Sequence, residues 1–542
     1  MEAKDTPFFG IDLGTTYSCI SYVDDDRDQP IVVKNIEGDT LTPSVVQFEG
    51  KNHIVVGKVA KACAVLYPED VIELVKRQMG KTGWYFTYQG DKYTAVEISS
   101  YILKKVVQDA ESILPFPVRD VVITCPAYFG IAQREATAEA GRLAGLNVRA
   151  IINEPTAATL TYGAHNEQNQ TILVYDLGGG TFDVTVSEIR NNTITVVTIN
   201  GDNHLGGHDW DKVLVKHFAQ QWQITTGSHE IPLASPETVE ELYTTVESAK
   251  RDLSGRMITK RSLTYKGKRA VISLTREKFD ELTNPLLEKT IQITRDTINE
   301  ARKRGISQID KILLVGGSTR MRQVEERLQK EFAFPLKIFD PDEAVAKGAA
   351  IYARKLQIGQ KIEEELKQGY NIYAIAKHTG LSIDEIDQAT TQPIREVSSH
   401  SFGVIVRHKA TQDLPEREGV SNIILVNTPL PARQEKTYFT FSDNQPEVRL
   451  QIIETETTNE IVESSEYNEY DKIAHIIMKL PSGLPKHTPI TVTFMLNEQN
   501  RLDVKAREEE SGTSIKKTIV MSVLSPEENA EAEKRRGAIA IE

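Results

Sequence analysis

The sequence is poor in cysteine, in long apolar runs and in excess basic charge. Its three cysteines, Cys19, Cys63 and Cys125, lie far apart and fit no metal-ligand spacing. An odd count of three argues against a disulfide framework and for a reducing compartment. No apolar stretch approaches the length of a membrane span, and Met1-Glu-Ala-Lys-Asp-Thr-Pro leads to Phe8 without an apolar signal region. A cytoplasmic location with no membrane partner is therefore expected. Lys and Arg number 64 against 77 Asp and Glu, a net charge of −13, so there is no electrostatic footprint for nucleic acid or an anionic lipid surface. What remains is a mix of 39% hydrophobic and 26% charged residues, that of a soluble globular chain, and 542 residues are too many for one compact core.

Glycine is concentrated at turns. Val174-Tyr-Asp-Leu-Gly-Gly-Gly-Thr-Phe-Asp-Val-Thr-Val186 carries β-formers into three glycines, after which Phe182, Val184 and Val186 alternate with Asp183 and Thr185. That alternation predicts a strand with one buried face. Three glycines open backbone angles closed to other residues and let N–H groups reach an anion with no Cβ in the way. Asp176, Thr181 and Asp183 bracket the turn, a donor set for a phosphate and a hard cation. Taken alone, an ordinary glycine hairpin has the same look. A second copy favours the phosphate reading. Phe8 to Val23 repeats strand, Asp-Leu-Gly, threonines and strand about 160 residues earlier, with Asp12 at the place of Asp176, Gly14 at that of Gly178, and hydroxyls from Thr15 and Thr16. Two related halves facing each other would grip a chain of phosphates from both sides. Each half would give one aspartate to a Mg²⁺ that keeps most of its water.

Between and beyond these turns the pattern is α/β. Asp120 to Thr124 and Val148 to Ile152 read as buried strands, with a helix from Gln133 to Gly145 between them. Asn153-Glu154-Pro155-Thr156 opens a helix, where Glu154 is either a catalytic carboxylate or a plain capping residue. Gly80-Lys81-Thr82 imitates the end of a phosphate loop, but the motif's first glycine would be residue 75, which is Val, so that reading fails. Lys76 is a cation within reach of a terminal phosphate. Ser235-Pro236 starts a helix whose apolar face is Val239, Leu242, Val246, Ala249 and Leu253, with Glu247, Lys250, Arg251 and Ser254 opposite. A long helical stretch from Thr275 to Arg304 is expected to break near Pro285. Ile312-Leu-Leu-Val-Gly-Gly-Ser-Thr-Arg320 is a strand entering a third glycine turn, and Asp340-Pro341-Asp342 leads into an Ala-rich helix.

Five ordered motifs together resemble the DnaK-type chaperones, the seventy-kilodalton heat-shock family. They are Ile-Asp-Leu-Gly-Thr-Thr at 11–16, Pro-Ala-Tyr-Phe at 126–129, Ile-Asn-Glu-Pro-Thr-Ala-Ala at 152–158, Asp-Leu-Gly-Gly-Gly-Thr-Phe-Asp at 176–183 and Leu-Val-Gly-Gly-Ser-Thr-Arg at 314–320. The resemblance implies an α/β, actin-like, two-lobed ATPase domain over 1–355. In it, Asp12 and Asp176 would organise Mg²⁺ through its waters. Gly14, Thr15, Thr16 and Thr181 would contact phosphates, Lys76 would reach the γ-phosphate of ATP, and Glu154 and Asp183 would orient or activate water. Gly178, Gly179, Gly207, Gly316 and Gly317 would line the nucleotide. Glu247, Lys250, Arg251, Ser254, Ser318, Arg320 and Asp342 would hold its adenosine. Pro126 and Arg134 match the family's relay to the next domain.

That next domain is expected at 398–524 as an antiparallel β-sandwich. Phe402, Val404 and Val406 alternate there, as do Val448, Leu450 and Ile452, then Ile490, Val492, Phe494 and Leu496, then Leu502, Val504 and Ala506. The resemblance makes it a peptide-binding domain in which Val404, Tyr438, Phe441 and Val448 would form an apolar pocket for an extended peptide; filling of the sandwich core is the plainer role for the four. The chain also departs from the family's pattern. The linker, Gln392 to Val397, has lost most of its apolar residues; Phe441 is bulky where a small arch residue is common, which would narrow the groove; His208 replaces an acid; Ala150, beside Arg149, stands where an arginine would receive a J-domain. Ser525-Pro-Glu-Glu begins the expected lid helix over 525–542, and a lidless member is implied. Leu356 to Thr391 is an added segment. Its stretch from Tyr373 to Ile386 is similar to a helix-turn-helix, but three Lys against six acidic residues between 361 and 392 suit a helical hairpin better than a DNA reader.

An ATP-dependent chaperone follows, binding extended segments of unfolded proteins, with a J-domain co-chaperone and a nucleotide exchange factor as partners. Two other readings share the fold: a nucleotide-binding scaffold that no longer couples its domains, and a sugar-kinase-like phosphotransferase.

Overall fold

The structure is a computed structural model describing residues 6–542 except 25, 26, 28, 164–168, 192, 384, 385, 388–393, 409–416, 464–471, 520 and 522. Two sheets of one topology organise its first part. The first has the order Asn147–Asn153, Asp120–Cys125, Phe9–Leu13, Tyr17–Asp24, Gln29–Val32; the second runs Leu336–Ile338, Lys311–Val315, Gln170–Leu177, Phe182–Arg190, Thr193–Asp202, Ile394–Arg395. In each, the strand ending in Asp-Leu pairs antiparallel with its hairpin partner and parallel with a strand from later in the chain. This is the duplication that the two Asp-Leu-Gly copies predict. Val121, Val122 and Ile123, like Ile172, Leu173 and Val174, are buried on both faces, as parallel strands covered by helices on either side must be.

The Ala344–Lys367 helix packs at backbone distance against the first sheet and the Glu154–Gly163 helix. A Cβ on Gly348 would lie 1.7 Å from the Ala157 carbonyl oxygen, and one on Gly10 2.2 Å from the Ala350 nitrogen. Small residues therefore set this approach. The helix continues without a break past Leu356, so the boundary expected there falls inside one element. Beyond it, the Ile372–Thr379 helix, capped by Asn371, folds back to bury Ile362, Ile375 and Ile386 in a core of its own. Residues 384, 385 and 388–391 of the segment expected as a helical hairpin lie outside the described residues, as do Gln392 and Pro393 of the linker.

In the second lobe, Ser235 caps the Pro236–Gly255 helix by accepting from the Thr238 N–H, and Leu242, Val246, Ala249 and Leu253 form its buried face, with Val239 half-buried. The Arg276–Lys303 helix corrects one expectation: it runs through Pro285. A proline inside a helix costs about 3 kcal/mol. Its buried stripe, Phe279 and Thr283 before the proline and Leu287, Ile291, Thr294 and Ile298 after it, continues at helical spacing on both sides, and that packing outweighs the local cost.

The remaining strands form two antiparallel sheets. One has the order Ile461–Glu463, Arg417–Ile424, Ser401–His408, Glu447–Thr455, Lys472–Lys479; the other is Ala432–Phe439, Pro489–Leu496, Leu502–Glu508, Ser514–Ile519. Phe402, Val404, Ile424 and Ile452 of the first share one apolar core with Val492, Phe494, Leu502 and Val504 of the second. The alternation read from the sequence puts these side chains inside.

Five contacts dock this part on the lobes. Ile394–Arg395 adds a parallel edge strand to Thr193–Asp202, and Val397 is buried with Ala127, Val196 and Ile199. The Ile199 N–H donates to Asn427 Oδ1 at 2.8 Å, and the Ile131 N–H to Glu454 Oε1 at 3.1 Å. The Pro526–Ala538 helix, capped by Ser525, contributes Ala532 to the core of the first lobe. Among the described residues no helix is long and apolar enough to cross a membrane.

Phe494 is fully buried in the core shared by the two antiparallel sheets. Phe494→Ala should destabilise that part by about 3–5 kcal/mol, read as an earlier transition in chemical denaturation, with the transition of the two lobes unchanged.

Candidate nucleotide site

The two sheets present their Asp-Leu-Gly turns to each other. Asp12 and Asp176 sit near the ends of equivalent strands, and a cleft of about 880 Å³ opens between the halves. Of the catalytic and nucleotide residues expected from sequence, all but Asp183 and Gly207 line it. Those two stand directly behind. Asp183 is opposite Asp176 in the hairpin register, and the Gly207 N–H donates to the Gly178 carbonyl at 3.0 Å.

The turns touch. A Cβ on Gly179 would fall 1.8 Å from Thr16 Oγ1, and one on Gly180 2.3 Å from Thr15 Cγ2. None of Gly178, Gly179 and Gly180 has a positive φ, which corrects the expectation that unusual backbone angles require them. At 179 and 180 the requirement is space for the opposite lobe. Gly316 is the glycine of the site that does need its φ of 83°, and there too a Cβ would meet Asp176 Oδ1 at 2.6 Å. Ser318 donates to the Gly178 carbonyl at 2.9 Å, which ties the third turn to the second.

Three buried carboxylates, from Glu154, Asp176 and Asp183, and the half-buried carboxylate of Asp12 surround the ammonium of Lys76. Lys76 Nζ donates to Glu154 Oε1. Burial, with Glu154 adding repulsion, pushes the Asp12 and Asp183 carboxyls up to about 7. Burial and then Glu154, Asp183 and Asp12 hold the Asp176 carboxyl well above its ordinary value. Burial works against the charge on Lys76, but Glu154 and Asp12 outweigh it and keep the ammonium protonated. So many buried carboxylates cannot ionise together without another cation, and hard oxygen donors fit Mg²⁺. Among the described residues no three acids, histidines or cysteines are placed to ligate one ion. Asp12 and Asp176 line the cleft as the residues that would hold Mg²⁺.

The expected adenosine group lies at the mouth. Glu247 accepts from Lys61 of the opposite lobe at 2.8 Å and from Arg251 at 2.5 Å; Arg251 also reaches the Tyr17 hydroxyl at 2.9 Å. Lys250 is committed to Asp211 at 2.7 Å and to the Gly207 carbonyl at 2.8 Å, and Arg320 pairs with Asp342. His208, in place of an acid, stacks on Tyr243 at 4.9 Å, and burial followed by Arg77 lowers its imidazole to about 4. It is neutral at physiological pH.

Several residues escaped the sequence reading. Arg77, next to Lys76, donates from Nε to the Gly180 carbonyl at 2.9 Å and from Nη2 to Asp209 at 2.5 Å, which joins the first lobe to the phosphate turn of the second. Arg134 bonds the Ala127 and Phe129 carbonyls and gives Nη2 to Asn153 Oδ1 at 2.6 Å; Asn153 Nδ2 passes on to Glu396 Oε2 at 2.9 Å, and Thr156 Oγ1 to Glu396 Oε1 at 2.8 Å. Asp183 accepts from the Tyr128 N–H at 3.1 Å, in the turn that Pro126 starts. A hydrogen-bonded run thus leads from the cleft to the linker. Its signal in the sequence was Glu396, the one acid between Gln392 and Val397. Arg149 is engaged with Asp120 at 2.6 Å.

The four peptide-pocket candidates are not gathered alike. Val404 is buried in the shared core, with Tyr438 and Val448 half-buried against it and the Tyr438 hydroxyl on Ser421 at 3.1 Å. Phe441 stands apart: it is 51% exposed, with the Arg407 guanidinium 5.9 Å over its ring. Core filling, the plainer role, describes Val404.

Two facing sheets of one topology, with glycine turns meeting over buried carboxylates and a lysine, define a two-lobed α/β nucleotide-binding protein. A family model described as Hsp70 protein matches residues 8–84 and 81–414. The chain belongs to the Hsp70 family, nucleotide-binding chaperones whose members are ATPases.

Gly179→Ala should push the turns apart and weaken nucleotide binding at least tenfold in titration calorimetry, with the thermal unfolding of the antiparallel sheets unchanged. The raised carboxyls also set a pH dependence. A folded-state value near 7 against an unfolded value of 3.8 gives stability that is full below about pH 4 and lost as pH rises through about 7. Mg²⁺-free protein should therefore melt at lower temperature at about pH 8 than at about pH 6, and Asp183→Asn should reduce the difference in scanning calorimetry.

Proposed function

We propose that this chain is an ATP-dependent chaperone: slow hydrolysis in the cleft governs exchange of extended hydrophobic segments of unfolded proteins in the β-sandwich. The observation that carries this reading is the bonded run Asp183–Tyr128, Arg134–Asn153–Glu396, which makes the linker part of the ATPase lobe. A charge change at Asp183 has packed, hydrogen-bonded neighbours all the way to the strand that enters the peptide domain. Val404, Tyr438 and Val448 with Phe441 are the proposed peptide contacts, and a J-domain protein and an exchange factor the proposed partners.

In the reaction, Thr15, Thr16 and Thr181 hydroxyls and the backbone donors of both turns would hold the phosphates. Bound Mg²⁺ would supply charge neutralisation between phosphate oxygens. Lys76 is placed to offset charge on the terminal phosphoryl group. Asp183, with its carboxyl near 7, has the affinity a base needs to hold a proton of the attacking water at neutral pH. Closure of the lobes by Lys61–Glu247 and Arg77–Asp209 would exclude bulk water and strengthen these electrostatic effects.

Single-turnover hydrolysis with and without an unfolded peptide tests the whole reading. Stimulation by peptide is expected; hydrolysis with no response to peptide would favour the scaffold reading, and phosphate transfer to a sugar the kinase one. Lys76→Met should abolish hydrolysis while ATP still binds, and methionine is chosen so that Glu154 keeps an apolar neighbour of similar length. Glu396→Ala should leave basal turnover near wild type and remove the peptide response; retained stimulation would take Glu396 out of the coupling.

A further inference from the structure

We propose that residues 540–542 are a β-latch: they occupy the edge of the His53–Val56 strand in the first lobe and thereby hold the Pro526–Ala538 helix, and the sheets it follows, in the docked position. His53–Val56 pairs on one side with Val46–Gly50. On the other it takes Ala540–Ile541 in parallel, with Ala540 opposite His53 and Ile541 opposite Ile54. The Ala540 N–H donates to the Asn52 carbonyl at 3.0 Å, the Glu542 N–H to that of Ile54 at 3.0 Å, and the Val56 N–H to the backbone oxygen of Glu542 at 2.8 Å. Main-chain pairing at an open sheet edge is how extended segments are captured in general, and here the captured segment is the chain's own.

The helix leading to the latch is anchored along its length. Arg535 Nη1 donates to both carboxylate oxygens of Glu97, at 3.0 and 3.2 Å, and the guanidinium lies 4.5 Å over the Tyr93 ring. Glu97 is only 3% exposed, so a charged partner matters to it. Ile539, just before the latch strand, is buried in the same apolar core as Ala532. Only residues 520–525 separate the Ser514–Ile519 strand from this helix, so the position of the helix restrains the sheets. The linker strand restrains them at the other side of the domain. The linker strand and the helix thus tether the domain at two places in addition to the Asn427 and Glu454 contacts, and losing one tether relaxes the orientational restraint. The inference concerns docking alone and stands whether or not ATP is hydrolysed.

The test uses the full chain, a variant lacking residues 539–542, and Ala540→Pro, which removes one N–H donor. Hydrogen exchange at the Val56 amide reads the latch, small-angle scattering reads docking, and the amides of Asp120–Cys125 report that the lobe is folded. Loss of three backbone hydrogen bonds in the shortened variant should lower the docked population by about ten- to a thousandfold, and loss of one in Ala540→Pro by about two- to tenfold, so Val56 should exchange faster and the particle expand in both, less so in Ala540→Pro. A synthetic peptide of residues 538–542, Ala-Ile-Ala-Ile-Glu, should restore Val56 protection in the shortened variant without restoring compactness, because it carries no tether. Unchanged Val56 exchange, or faster exchange with no expansion, would overturn the latch. If the shortened chain fails to fold, Ala540→Pro decides by the same two readings.

Discussion

The packing of one phosphate turn against the other is the constraint on which the rest of this molecule depends. Thr15 and Thr16 occupy the volume where side chains at 179 and 180 would be. The lobes therefore meet backbone to side chain, with no slack between them. That contact puts Asp12 and Asp176 at one cleft, makes hydroxyls of one half neighbours of N–H groups of the other, and brings Arg77 within reach of Gly180 and Asp209. A wider contact would leave two glycine hairpins, each unable to enclose a phosphate chain.

Charge follows from this closeness. Bringing the two Asp-Leu-Gly strands together buries carboxylates from both, and Lys76 and Arg134 do not balance them. The cleft is thereby electrostatically incomplete by construction, and a divalent cation would complete it. The same incompleteness explains the hydrogen bonds behind the site. Thr124 on Asp12 and the Tyr128 N–H on Asp183 stabilise the charged forms that burial disfavours. Because the Asp183 bond comes from the turn that leads to Arg134, the means of satisfying a buried acid is also the first step towards the linker.

Much of the site was legible because it is made of short, local patterns. The duplicated Asp-Leu-Gly turns announce themselves within a dozen residues, and the sheets they cap have the predicted pairing. The role of Gly179 and Gly180 was not legible, since a requirement for space is set by Thr15 and Thr16, far away in the chain. Arg77, Asn153 and Glu396 are ordinary polar residues until the fold brings them together. The Arg276–Lys303 helix shows the opposite case: a strong local signal, Pro285, is overridden by an apolar stripe that continues on both sides of it. Phe441 was read through a resemblance as part of a groove, and its exposed ring beneath Arg407 depends on the course of the loop after Phe439, which periodicity does not encode.

Among the described residues, the linker strand Ile394–Arg395 makes two pairs with Thr193–Asp202. Such a short zipper is an adjustable one. Each added or lost rung changes the balance between attached and detached forms by roughly a factor of ten, a step small enough for selection to tune and large enough to matter. A longer strand would make a more permanent seam.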